Sequence, residues 1–217
     1  MKQSIEYRRF ALAMLATLAT VYLRAATGTW DADPGTAGAQ DGSGNWNTVD
    51  ANWWSGTANA AWSDGTDAVF GNATGAAGIV TLNGGSVKPN SLTFNAAGSG
   101  AYTVNASGPY LIDLGGGARV FTVNAGAATL ACGVTNGGLA KLGSGDLALT
   151  GPSSVSTFQI NGGSMTVATN LTITGTNTGC FVYLGDGRSL SGTLTINTGA
   201  TVRVTGAFAD AGVIGRN

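Results

Sequence analysis

The chain has 217 residues, of which 36 are Gly, 4 are Pro and none is His. Charged residues make up 10% against the roughly 25% of an ordinary soluble domain, while 43% are apolar, so charge-driven disorder is excluded. A formal charge of −1 lacks the basic footprint of a nucleic-acid binder, the glycines do not follow a collagen period, and the lack of His removes the commonest general base and metal ligand.

In chain order, residues 1–26 read as a signal peptide. Lys2, Arg8 and Arg9 precede an uncharged apolar run from Phe10 to Leu23, and the small residues Ala25, Ala26 and Thr27 follow. The run is short for a membrane span, so an uncleaved anchor helix is the lesser alternative, and no membrane span is expected in the mature chain. Lys2, Arg8, Arg9, Arg24 and Glu6 belong to this segment, which leaves six basic and ten acidic residues, a net of −4. From Thr27 to Val87 there is no Lys or Arg, whereas Asp31, Asp33, Asp41, Asp50, Asp64 and Asp67 all fall there.

Residues 27–77 also hold all five tryptophans, Trp30, Trp46, Trp53, Trp54 and Trp62. Two readings compete. One is a cap, because a solenoid must cover its exposed first coil and bulky aromatics do so well. The other is a carbohydrate platform formed by Trp46, Trp53 and Trp54, whose indole faces would stack on sugar rings. Trp53-Trp54 is the pair least able to bury both rings on one strand face. Asp31, Asp33 and Asp41 match no complete calcium loop, so turn capping is preferred for them and no metal site is expected.

Residues 78–217 form a repeat region. An apolar, variable, apolar, Asn, small, small pattern recurs at Val80–Gly85, Leu92–Ala97, Tyr102–Ser107, Phe121–Gly126, Phe158–Gly163 and Leu194–Gly199. Related strands lie at Asp146–Thr150, Met165–Ala168, Leu171–Thr174, Phe181–Leu184 and Thr201–Thr205. Alternation places two apolar residues on an inner face and Thr on a wet outer face. Asn tolerates a left-handed backbone and bonds the local main chain, and Gly or Ala behind it lets the chain turn. No capped helical period is present. Antiparallel hairpins and a right-handed parallel β-helix both give this spacing, but only stacked coils give a reason for Asn after strand upon strand. The expected fold is therefore an all-β, right-handed parallel β-helix with a Trp-rich N-terminal cap and about five coils of three strands. Cys132 and Cys180 form either a disulfide or two buried small apolar groups, and neither has a His to activate it.

The string Gly137-Gly138-Leu139-Ala140-Lys141-Leu142-Gly143-Ser144-Gly145-Asp146-Leu147-Ala148-Leu149-Thr150-Gly151 resembles the autotransporter-associated β-strand repeat, and Ile160–Val167 is similar to that family's next corner and strand. Pro152 to Ser156 departs from the family pattern. The resemblance implies an exported, noncatalytic passenger region at the cell surface or secreted from a bacterial envelope. It implies structural or adhesive roles, no cofactor, and surface glycans or other cell-surface components as partners. No C-terminal barrel or apolar anchor is visible, so a missing translocator, anchor or further chain is expected. The alternatives are a carbohydrate-binding surface protein and, less favoured, a polysaccharide-degrading enzyme built on Asp186 and Arg188, the one tight acid and base pair.

Overall fold

The computed structural model describes residues 25–174, 182–184 and 193–204. Short alternating segments separated by Gly, Asn and Ser form strands, because most have one face of branched or aromatic side chains to bury and corner residues that stop them after two to six positions. The first are β1 (Thr27–Trp30), β2 (Gly44–Trp46), β3 (Trp53–Trp54), β4 (Asn59–Ala60), β5 (Asp67–Phe70) and β6 (Ile79–Leu82). A regular series follows with β7 (Ser91–Phe94), β8 (Tyr102–Ala106), β9 (Leu111–Asp113), β10 (Ala118–Val123), β11 (Ala127–Leu130), β12 (Gly133–Thr135), β13 (Gly138–Leu142) and β14 (Asp146–Leu149). The series continues with β15 (Ser153–Val155), β16 (Phe158–Ile160), β17 (Ser164–Val167), β18 (Leu171–Ile173), β19 (Val182–Leu184), β20 (Thr193–Ile196) and β21 (Val202–Val204). No helix occurs among the described residues.

The strands form three sheets, ordered β19-β16-β13-β10-β7-β5-β1-β3-β4, β2-β6-β8-β11-β14-β17-β20 and β21-β18-β15-β12-β9. From β7 onward the chain visits the first, second and third sheet in turn, and each strand pairs in parallel with the strand three places further on. That is a solenoid-like path of three strands per circuit. Antiparallel pairing is confined to β1 with β3 and β3 with β4. The expected hairpin alternative is thereby set aside for the repeat region.

Parallel register stacks like positions on like. Val80, Val104, Leu130, Leu149 and Val167 form one inward column in the second sheet, and all are buried. Phe70, Phe94 and Val123 form another in the first sheet, with Phe70 and Phe94 stacked at 5.1 Å and 13°. The threonines between them, such as Thr93 and Thr122, are half-buried on the outer face. The six corner asparagines divide between two corners. Asn95, Asn124 and Asn161 follow first-sheet strands, and Asn83, Asn105 and Asn197 follow or end second-sheet strands. At the first of these corners Asn124 Nδ2 donates to Asn95 Oδ1 at 2.7 Å across adjacent circuits. None of the six has a positive φ, contrary to expectation; the glycines behind them carry it, as at Gly84 (φ 90) and Gly126 (φ 66).

Residues on either side of position 78 share sheets, since β2 pairs with β6 and β5 with β7, and their side chains belong to one continuous core. Trp30, Trp46, Trp53 and Trp62 sit at the N-terminal end of that core, with ring centroids 4.7–5.5 Å apart for the contacting pairs.

Candidate functional site

The platform residues separate into two groups. Strand alternation in β3 turns Trp53 inward and Trp54 outward. Trp46 and Trp53 are 0% and 3% exposed, packed against each other at 4.9 Å, so no ring face of either is available to a ligand. Trp54 is half-buried on the outer face, beside Thr29 of β1. Of the five tryptophans it alone reaches solvent to this extent.

Trp54 lines a cleft of about 390 Å³ with Thr27, Thr29, Gly38, Ala39, Ser55, Gly56 and Asn72. The aspartates hold its walls. Asp31, fully buried, accepts from the Asp33 and Gln40 amides through Oδ1 at 3.0 and 3.1 Å, and from Asn59 Nδ2 through Oδ2 at 2.7 Å. These bonds fold the 33–40 loop down beside the β3–β4 hairpin. Asp33 closes its own turn by accepting from the Gly35 amide and the Thr36 hydroxyl. Asp41 accepts from the amides of Asn72, Thr74 and Gly75 and from the Tyr102 hydroxyl at 2.7 Å. Burial, then the Asp41 contact, holds the Tyr102 phenol above its ordinary 10.0, so it stays a donor. Asn72 Nδ2 in turn donates to the Ala39 carbonyl at 2.8 Å, joining the two loops that line the cleft. Local capping is thus seen for Asp33 and in part for Asp31, whereas Asp41 bonds distant groups in the 72–75 loop and Tyr102; no cluster of candidate metal ligands occurs among the described residues.

Lys141 lies in β13, within the string that carries the repeat resemblance. It occupies an inward column between Phe121 and Ile160 and is fully buried. Its Nζ donates to the carbonyls of Gly143 at 2.7 Å, Gly162 at 2.9 Å and Gly145. Burial lowers its pKa, with the charge of Asp146 acting against that shift. The signal was present in the parity of Leu139 and Lys141, which puts both on one strand face. Cys132 is buried, and burial pushes its thiol up to about 12, so it is an inert apolar group rather than a nucleophile. Cys180, Asp186, Arg188 and the signal segment up to residue 24 lie outside the described residues.

No protein-family model matches this chain, and no solved structure matches it. The chain is similar to a curated protein, adhesin BmaC autotransporter of Brucella suis biovar 1 (strain 1330), at 29% identity over 221 residues. The alignment takes in 96% of this chain and 6% of that protein, so the chain spans a small fraction of the relative's length.

Proposed function

We propose that the chain is a noncatalytic, adhesive segment of an exported bacterial surface protein, wound as a right-handed parallel β-helix. The observation that carries this reading is the similarity to an autotransporter adhesin along nearly the whole chain. The stacked circuits support it, because a solenoid offers a long side wall and repeated corners on which loops are displayed. In this reading residues 1–26 are the export signal and residues 27–77 close the first circuit with the Trp30, Trp46, Trp53 and Trp62 cluster. Residues 78–217 are the repeat body, of the autotransporter-associated β-strand kind, and transport or anchoring is supplied by further sequence or a partner.

Beads coated with the purified full chain should be retained on host-cell layers and extracellular matrix above albumin-coated beads. Equal retention would overturn the adhesive reading. The enzyme alternative on Asp186 and Arg188 predicts sugar release from polysaccharides that stops on Asp186→Asn.

A further inference from the structure

We infer that the Trp54 cleft is a subsite for a neutral saccharide, a reading that rests on the adhesive function proposed above and supplies it with a ligand class. At about 390 Å³ the cleft lies near the lower end of the roughly 300–1,000 Å³ of small-ligand sites. Its chemistry suits a sugar. One aromatic side chain offers an apolar surface for the C–H face of a pyranose, and the Thr27 and Thr29 hydroxyls and the Asn72 carboxamide, whose Nδ2 also serves Ala39, offer groups that both donate and accept, as sugar hydroxyls require.

No charged side chain lines it. The acids bonded to its walls are engaged in hydrogen bonds: Asp31 and Asp41 each accept through both carboxylate oxygens, and Asp67, paired with Thr27 across β1 and β5, accepts through Oδ1 from Asn90 and Ser91. With no Lys or Arg between residues 27 and 87 to attract an anion, a neutral ligand is favoured over an acidic one.

The cleft is also built before any ligand arrives. Trp54 is held in register with Thr29 on one side and Asn59 on the other. The 33–40 wall is bound through Asp31, the 72–75 wall through Asp41, and the two walls are joined by Asn72 to Ala39. Pre-formed walls lower the ordering cost of binding, which matters for ligands whose individual contacts are weak.

The test uses the full chain, Trp54→Ala and Trp54→Phe on an array of neutral and sialylated glycans. In parallel, N-bromosuccinimide oxidation of the folded protein is followed with and without the best neutral glycan. Neutral glycans should bind, Trp54→Ala should bind about tenfold more weakly, and Trp54→Phe should keep most of the affinity. The sugar should slow oxidation of Trp54, which is read in the unaltered protein and so does not depend on the variants folding. No neutral glycan bound, preference for acidic glycans alone, or unprotected Trp54 would overturn the cleft assignment. If beads still adhere in that case, the adhesive reading survives and its ligand lies elsewhere; if beads also fail to adhere, both fall.

Discussion

At the scale of single residues, Lys141 is the most consequential side chain in the described structure. Its stem replaces an apolar residue in a column of Leu92, Phe121 and Ile160, and its ammonium ties the corner of its own circuit to Gly162 of the next. Removing it leaves three carbonyls without their donor. Lys141→Ala should lower stability by about 3 kcal/mol, seen as a fall in the urea midpoint with little change in slope. A change within 0.5 kcal/mol, roughly that of a surface substitution, would show that the carbonyls find other partners. A second residue-scale prediction concerns pH. The Cys132 thiol ionises near 9.0 when unfolded and at about 12 when folded, so the unfolded chain loses the proton first and stability falls as pH rises through that window. The slope is about 1.4 kcal/mol per pH unit, and below 9.0 this group has no effect. Tyr102 acts in the same sense above 10.0, while Lys141, whose proton is held more loosely when folded, acts in the opposite sense below 10.5. Comparing the reduced protein with Cys132→Ala between pH 8 and 11 isolates the thiol: the two stability curves should run parallel at first, and on the alkaline side the gap between them should close as the parent alone loses stability.

At the scale of elements, the corners limit what substitutions the repeat accepts. Gly163 has φ 61, and a Cβ there would press on the Gly145 carbonyl and approach Lys141 Nζ at 2.6 Å. Gly163→Ala should therefore cost about 2–4 kcal/mol, more than the 1 kcal/mol or so of the left-handed backbone alone, and its effect should not add to that of Lys141→Ala. Additive losses in the double variant would mean that the two residues do not share one corner. The aromatic end makes a second element. Trp46→Ala, in contact with Trp53, Trp62 and Phe70, should lose about 3–5 kcal/mol, whereas Trp54→Ala on the outer face should lose far less.

Much of this level was readable in advance. Alternation located β6, β7, β14, β16, β17 and β18 within a residue or so, because each has two apolar side chains flanking a Thr, Ala or Gln, whereas β10 begins at Ala118, three residues ahead of the pattern at Phe121. The β3–β4 hairpin was not readable. Two-residue strands such as Trp53–Trp54 and Asn59–Ala60 are too short to show a period, and only the pairing of β3 with β1 and of β4 with β3 defines them. The cleft was half legible: the adjacent Trp53 and Trp54 cannot both face inward, although only the pairing of β3 shows that Trp54 is the outer one. Its other wall comes from Gly38, Ala39 and Asn72, brought there by Asp31 and Asp41 through bonds that no local pattern announces.

For the whole molecule, stability is distributed along the stack, since each circuit touches only its neighbours. Amides of β11, β13 and β14, which have partners on both sides, should exchange with solvent more slowly than those of β20 and β21, which lie at the ends of the sheets among the described residues. Ile196 of β20 is already 49% exposed, whereas Val167, its partner in register, is buried. Hydrogen exchange read by mass spectrometry checks this gradient, and uniform protection would show that the stack opens as a single unit. Far-UV circular dichroism of the chain without residues 1–26 should be dominated by β-structure; a helix-rich spectrum would be incompatible with the sheets described.

The direction of the hydrogen bonds carries one more consequence. In each sheet they run from one circuit to the next, along the direction in which the circuits stack. A load applied along that direction meets the bonds a few at a time, end-on, and peels circuits off in order instead of shearing a whole sheet. With 19 residues separating Leu139 from its register partner Phe158, each released circuit would add about 65 Å of slack. A solenoid of this kind would yield in small steps under tension and rewind when tension drops, so that extension is taken up circuit by circuit.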